Sequence, residues 1–209
     1  MPESIEIRPL GQPDLSAVAR IHLLAFPDSA LTRLGFAAVR RYYDWQMTGP
    51  HEVSALGACD GNELAGFCLG GVFRGAMSGF LQKNRTFLVW RVATHPWLVF
   101  NPLFRDRLAT GVNVLRRFSK PRQRVLANPA VKQQKFGILS IGIAPKFQTR
   151  GIGKLLMAES EAIARKNGFE EMQLSVNPAN NPAVRFYEAL GWKRVIRDGM
   201  WAGEMIKLL

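Results

Sequence analysis

Residues 138–156 allow very few folds. Ile138-Leu139-Ser140-Ile141-Gly142-Ile143-Ala144-Pro145 is an apolar, strand-like run that stops at a proline. Lys146-Phe147-Gln148-Thr149-Arg150-Gly151-Ile152-Gly153-Lys154-Leu155-Leu156 then passes from a polar loop with two glycines into a helix. Strand, glycine loop and helix start in that order make a nest for an anion. The first N–H groups of a helix have no partner inside it, and the helix dipole adds partial positive charge where they point. Gly151 and Gly153 put no Cβ between the backbone and a ligand. The guest that such a nest takes carries phosphate.

The rest of the chain suits one globular body around this nest. Its 209 residues are 47% hydrophobic and 21% charged, which fits a single domain or a domain with an insertion. Cys59 and Cys68 are the two cysteines, and they lie in neighbouring strand-like runs. Two thiols make no disulfide framework, so both are expected buried and reduced. No His, Cys, Asp or Glu cluster has ligand spacing, and no metal is expected. The first residues lack a basic region followed by an apolar one, so a cytoplasmic location is the expectation.

Apolar periodicity sets the order of elements. Residues 4–8 alternate as an edge strand does, and residues 14–26 read as an amphipathic helix with Asp14 as its N-cap. A second helix is expected over about 34–46. Strand-like runs at 53–59 and 64–73 are separated by Asp60-Gly61-Asn62-Glu63, a hairpin signal. A strand at 137–143 and a helix at about 152–167 follow, with Gly168 where a C-cap glycine belongs. A strand at 172–176, a turn, a short helix at 183–190 and closing strands near 192–196 and 201–208 complete the chain.

The loop Gln148-Thr149-Arg150-Gly151-Ile152-Gly153 resembles the Gln/Arg-x-x-Gly-x-Gly/Ala motif of the GCN5-related N-acetyltransferases, the GNAT family. A second block agrees. Asn180-Asn181-Pro182-Ala183-Val184-Arg185-Phe186-Tyr187-Glu188-Ala189-Leu190-Gly191-Trp192 resembles the family's late Asn-x-x-Ala-x-x-x-Tyr-x-x-x-Gly-Phe motif, with Trp192 in place of the last residue. The resemblance implies the GNAT fold, an α/β (α+β) mixed sheet, as one domain over residues 1–209. It implies acetyl-CoA as co-substrate and an amine as acceptor. The pyrophosphate would rest on Gln148, Thr149, Arg150, Gly151, Ile152, Gly153 and Lys154. The pantetheine arm would pair with the backbone of Ile141, Gly142 and Ile143 on a splayed strand and touch Asn180. Tyr187 would face the departing sulfur as proton donor. Family members are often dimers, so a homodimer belongs among the expectations.

Two features lie beyond the motifs. An alkyl amine is mostly protonated at neutral pH, yet the central strand offers Ser140 and no acid. His22, Asp28 and Glu52 are base candidates by residue type, and a non-catalytic acyl-CoA-binding or basic surface-binding module remains the alternative. The second feature is a basic insert over about 74–136, between the third and fourth strands. Between Phe73 and Phe136 stand thirteen Lys or Arg and one acid, Asp106, whereas the remainder holds fifteen of each sign. No uninterrupted apolar stretch there is long enough to span a membrane. The aromatic group Trp90, Trp97, Phe100 and Phe104 reads as insert core, and residues 104–118 as a basic amphipathic helix. An anionic membrane surface, a phosphate-bearing acceptor and a nucleic-acid-associated protein are all open as its partner. Neutralising Arg116, Arg117 and Arg122 together is expected to raise the acceptor KM if the insert reads an anion.

Overall fold

The structure, a computed structural model, describes residues 5–94 and 135–209. The expected helix at 104–118, the aromatics Trp97, Phe100 and Phe104, and Arg116, Arg117 and Arg122 lie outside the described residues.

These residues form two compact units. The first holds one seven-stranded sheet. Its strands are β1 (Glu6–Pro9), β2 (Glu52–Asp60), β3 (Glu63–Val72), β4 (Phe136–Ile143), β5 (Glu171–Ser175), β6 (Lys193–Arg197) and β7 (Met200–Leu208). The spatial order is β1-β2-β3-β4-β5-β7-β6. Every pair is antiparallel except β4 with β5. This is the mixed sheet expected from the sequence.

Local chemistry explains the strands that frame the nest. The β2–β3 hairpin turns through Gly61-Asn62, and Gly61 has φ +57°, a conformation that glycine adopts without steric cost. β3 is buried along nearly its whole length, as an interior strand must be. The helix Ile152–Lys166 buries Ile152, Leu156, Met157, Ser160 and Ala164, a stripe at helical spacing, against β2, β3 and β4. It ends where expected, with Gly168 at φ +76°. The last helix of this unit, Asn181–Ala189, brings Phe186 against the start of the preceding one.

The second unit is helical. It contains α1 (Leu15–Ala25), α2 (Ala30–Arg33), α3 (Phe36–Thr48), α4 (Ala76–Lys83) and α5 (Arg85–Thr94). The two helices of the first unit are therefore α6 (Ile152–Lys166) and α7 (Asn181–Ala189). α1 packs on α3. Three details depart from the sequence reading. Asp14 occupies the N-cap position without capping through its side chain, because a 3-10 turn over Gln12–Asp14 runs straight into the helix and keeps Asp14 helical. A one-turn helix, α2, precedes α3 and is capped by Ser29, whose Oγ accepts the Thr32 N–H at 3.0 Å. Gly35, at φ +87°, separates the two.

The described part of the insert is helical too. Arg91 donates from Nε to the Leu34 carbonyl at 3.0 Å, and Arg41 stacks 4.5 Å above the Phe87 ring. Trp90, expected in an insert core, is 60% exposed. It lies on α5 next to Val89, which is exposed as well. No helix among the described residues is long and apolar enough to cross a membrane.

Candidate active site

β4 does two things at once. Along one edge it pairs with β3 from Gly137 to Ile143. Along the other it pairs with β5 only at Phe136, Gly137 and Ile138, whose partners are Met172, Gln173 and Leu174. Among the described residues no strand pairs with β4 on that side beyond Ile138, where β4 and β5 fork. The Ala144 N–H donates to the Ala65 carbonyl at 2.9 Å, on the β3 side. Strand alternation then turns the N–H groups of Ile141 and Ile143 toward the open side. An extended chain lying in the fork would find those donors free of any β5 partner.

The glycine loop closes one end of the fork. Thr149 has φ +65° and Gly151 φ +77°. Left-handed backbone is rare for a residue with a Cβ, and such strain gathers at sites that need a particular N–H direction. Gly151 is the N-cap of α6 and no side chain caps it. Lys154 and Leu155 both donate to the Gly151 carbonyl, so the N–H groups of Ile152 and Gly153 have no partner within the helix. The two glycines differ in role. A Cβ on Gly151 would meet nothing within 4 Å, so its conformation is what demands glycine there. A Cβ on Gly153 would sit 3.2 Å from the Phe186 ring, so that glycine lets α7 pack on α6.

Charge holds the loop in place. Arg150 donates to Asp60 Oδ2 at 2.6 Å, and Lys146 to Glu63 Oε2 at 2.6 Å. Both cations also lie over the Phe147 ring, at 5.3 and 4.9 Å from its centroid. The β2–β3 turn thus clamps the loop from below, and Arg150 already has an anion before any ligand arrives. Lys154 is exposed. Gln148 reaches back, its Nε2 3.4 Å from the Ile143 carbonyl. Asn180 is exposed and caps α7, its Oδ1 accepting the Ala183 N–H at 3.2 Å.

Tyr187 is buried on α7 between Phe186 and Trp192, with ring centroids 5.2 and 6.1 Å away. Burial, and secondarily the Cys68 thiol, push its phenol well above the usual tyrosine range. Cys68 stands opposite Ile141 in the β3–β4 register. Cys68 itself is fully buried, its Sγ 3.3 Å from Ser160 Oγ, and burial raises its pKa to about 11. That thiol stays neutral and inert. Cys59 is buried and free as well.

Of the base candidates named by residue type, His22 and Asp28 belong to the helical unit and Glu52 to β2. His22 has both ring nitrogens engaged, Nδ1 with the Tyr43 hydroxyl at 2.8 Å and Nε2 with Ser29 Oγ at 3.2 Å. Burial lowers its pKa to about 4. Asp28 lies 3.7 Å from Arg33 on the surface. Glu52 lines a cleft of ≈ 400 Å³ with Asn167 and Phe169, beyond the C-terminal end of α6 and a whole helix from the loop. His22 has a consequence for stability instead. Its unfolded form protonates first as pH falls below 6.5, while the folded form resists protonation down to about 4. Stability is complete above the upper value and drains away toward the lower, by about 3 kcal/mol at most. Denaturant melts at pH 7 and pH 4.5 should show that slope, and a His22→Phe variant should flatten it. An unchanged slope in the variant would place the titration elsewhere.

One acid that residue type alone did not single out stands at the fork. A cleft of ≈ 260 Å³ opens where β4 leaves β5, between Leu139 and Ser175, and Glu204 of β7 lines it. Glu204 is held by Arg197, with Nη2 2.8 Å from Oε2. Among the described residues no three His, Cys, Asp or Glu side chains come together as a metal-binding group.

Comparison with known proteins agrees with this geometry. Residues 116–192 match the family model described as acetyltransferase (GNAT) family. A mycothiol acetyltransferase of Renibacterium salmoninarum is 33% identical over 79 residues, 38% of this chain and 23% of that protein. The chain thus spans about a quarter of the length of that curated relative. The PaiA N-acetyltransferase of Thermoplasma acidophilum, solved in complex with coenzyme A, superposes with a TM-score of 0.60 at 18% identity and covers 99% of both chains. A GNAT family acetyltransferase of Brucella melitensis, in complex with acetyl-CoA, gives a TM-score of 0.54 at 13% identity, covering 99% of this chain and 88% of that one.

Proposed function

We propose that this chain, whose residues 116–192 match the GNAT family model and whose fold is shared with GNAT acetyltransferases, transfers an acetyl group from acetyl-CoA to an amine, with both substrates bound at once. The observation that carries the reading is the fork. A glycine loop and an uncapped helix start lie at one end of it, and an unpaired strand edge runs along it. A phosphate nest followed by a row of open backbone donors suits a ligand with a pyrophosphate at one end and an amide-bearing arm behind it.

In this reading the N–H groups of Ile152 and Gly153 take the pyrophosphate, with Gln148, Thr149 and Gly151 shaping the loop and Lys154 adding charge. Arg150 first positions the loop through Asp60. Ile141 and Ile143 pair with the arm, Gly142 keeps that stretch slim, and Asn180 borders it. Acetyl-CoA, when bound, supplies an activated acetyl thioester. An open N–H of β4 polarises its carbonyl in the manner of an oxyanion hole. Tyr187 donates a hydrogen bond to the sulfur as it leaves. The nitrogen–carbon bond forms and the carbon–sulfur bond breaks. Of the two protons an ammonium acceptor sheds, one ends on sulfur and one in water. Holding both partners in the fork supplies much of the rate.

The partial likeness to a mycothiol acetyltransferase supports acetyl transfer, while the match to a quarter of its length leaves the acceptor to this chain's own residues. The test has two steps. Calorimetry with acetyl-CoA should show binding that a Gly151→Val variant weakens. Free-thiol release across amines, sugar nucleotides and peptides should then identify acceptors. Absence of binding to any acyl-CoA would refute the reading. Binding without thiol release from any acceptor would favour a non-catalytic acyl-CoA module instead.

A further inference from the structure

We propose that Glu204 recognises the acceptor, and that the group it recognises is the ammonium end of a primary amine carried on a slender apolar arm. The inference rests on acetyl transfer as the reaction and adds the substrate class and the residue that selects it.

Three observations converge. The first is position. Glu204 stands directly opposite Ser175 in the β5–β7 register. Ser175 is the first residue of β5 beyond its last pair with β4, so it marks the mouth of the fork. Directly opposed residues of an antiparallel pair project from the same face, and Glu204 therefore shares its face with Ser175. The second is composition. Phe73, Ile138, Leu139 and Leu174 give the cleft mostly apolar walls, Gln173 and Ser175 are neutral, and among the described residues Glu204 is the one charged residue lining it. An acid in an apolar recess selects a cation, because an anion there is repelled and a neutral group forgoes the charge-assisted bond. Its ≈ 260 Å³ lies below the about 300–1,000 Å³ of pockets that take drug-sized molecules, which suits a narrow arm.

The third is orientation. Arg197 grips both carboxylate oxygens, Nη2 at 3.1 Å from Oε1 and 2.8 Å from Oε2, with Nε 3.2 Å from Oε2. Arg197 is 71% exposed and Glu204 34%. Trp201 pins the same residue's backbone, its Nε1 donating to the Glu204 carbonyl at 2.8 Å. A carboxylate has about four lone-pair directions, so one held this way keeps room for an ammonium on the cleft side. β4 offers no acid to do this work.

The experiment uses the full chain. Calorimetry first measures acetyl-CoA binding to the wild type, to Glu204→Gln and to Glu204→Asp, with melts to check folding. Thiol release is then followed with n-butylamine, n-hexylamine and 2-phenylethylamine, and with the matching alcohols. The wild type should act on amines and not on alcohols. Glu204→Gln should lose about tenfold or more in kcat/KM for the amines, chiefly through KM, at unchanged acetyl-CoA affinity. Glu204→Asp, which keeps the charge, should recover part of the loss. Equal kcat/KM in the wild type and the Gln variant overturns the proposal. So does a wild type that binds acetyl-CoA but turns over none of the three amines. A wild type that binds no acetyl-CoA overturns the reading of the reaction itself, and calorimetry alone separates that case.

Discussion

A Tyr187→Phe variant should lose about 10²- to 10³-fold in kcat for acetyl transfer, with acetyl-CoA affinity changed by no more than about twofold. The substitution deletes one hydroxyl. The ring keeps its place between Phe186 and Trp192, and α7 keeps its cap at Asn180. What disappears is a buried hydroxyl donor on α7. The direction of the phenol's shift also fixes what kind of donor it is. Burial makes Tyr187 a weaker acid than an ordinary tyrosine. A thiol is the stronger acid, near 8.5 on the usual scale, so lasting transfer from Tyr187 to sulfur would run uphill. Tyr187 therefore stabilises the departing sulfur by a hydrogen bond. The proton that ends on sulfur is replenished from the nitrogen, which turns acidic once its lone pair is committed to the carbonyl. Tyr187 stays protonated through the alkaline range in which an alkyl amine, pKa about 10.4, gains its free base. For an alkyl amine, kcat/KM should thus climb from pH 6 to pH 9, with the same shape in the wild type and the Phe variant. An undiminished kcat in the variant would remove Tyr187 from the reaction, and an alkaline fall present only in the wild type would make it a titrating proton donor instead of a lasting hydrogen-bond donor.

The parts of the site legible in the sequence are those fixed within a few residues. Strand, proline, glycine loop and helix start are neighbours in the chain, and Gly151 adopts the positive φ that its place before α6 requires. The hairpin at Asp60–Glu63 and the C-cap at Gly168 are local in the same sense. What escaped depends on partners far away in sequence. Arg150 reads as a phosphate ligand until the hairpin, ninety residues earlier, brings Asp60 to it. Gly153 reads as a point of ligand approach until Phe186 of α7 is seen to fill the space beside it. Glu204 was hidden by topology. β7 lies between β5 and β6, so chain order does not reveal that it faces Ser175 at the fork. The one acid of the closing strand Met200–Leu208 was the available signal, and only the register gives it meaning. His22 shows the converse. A histidine on an apolar helix face offers the right chemistry for a base, but Tyr43 and Ser29 take up both of its nitrogens.

Gly203→Ala should destabilise the fold by about 3 kcal/mol or more, whereas Gly199→Ala on the same hairpin should cost about 1 kcal/mol. Both glycines hold positive φ, +96° at Gly203 and +73° at Gly199, so both pay for a Cβ in backbone strain. They differ in what the Cβ meets. At Gly199 nothing lies within 4 Å. At Gly203 the Cβ would overlap the Val176 carbonyl oxygen, with the Pro178 ring 3.3 Å away. Backbone cannot swing aside as a side chain does, and the Val176 N–H donates to the Gly203 carbonyl at 2.9 Å, so relief means prising β7 from the end of β5. For a chain of this length that amounts to a fall in Tm of about 6–12 °C for Gly203→Ala against about 2–4 °C for Gly199→Ala. The strain lands one residue from Glu204 and at the strand end that forms the mouth of the fork. Amine turnover should therefore drop in Gly203→Ala even well below its Tm, while acetyl-CoA affinity, set at the glycine loop, holds. Matched melting temperatures for the two variants would show that β5 and β7 can part here at little cost, and the fork would then be a soft edge that cannot hold an acceptor in register.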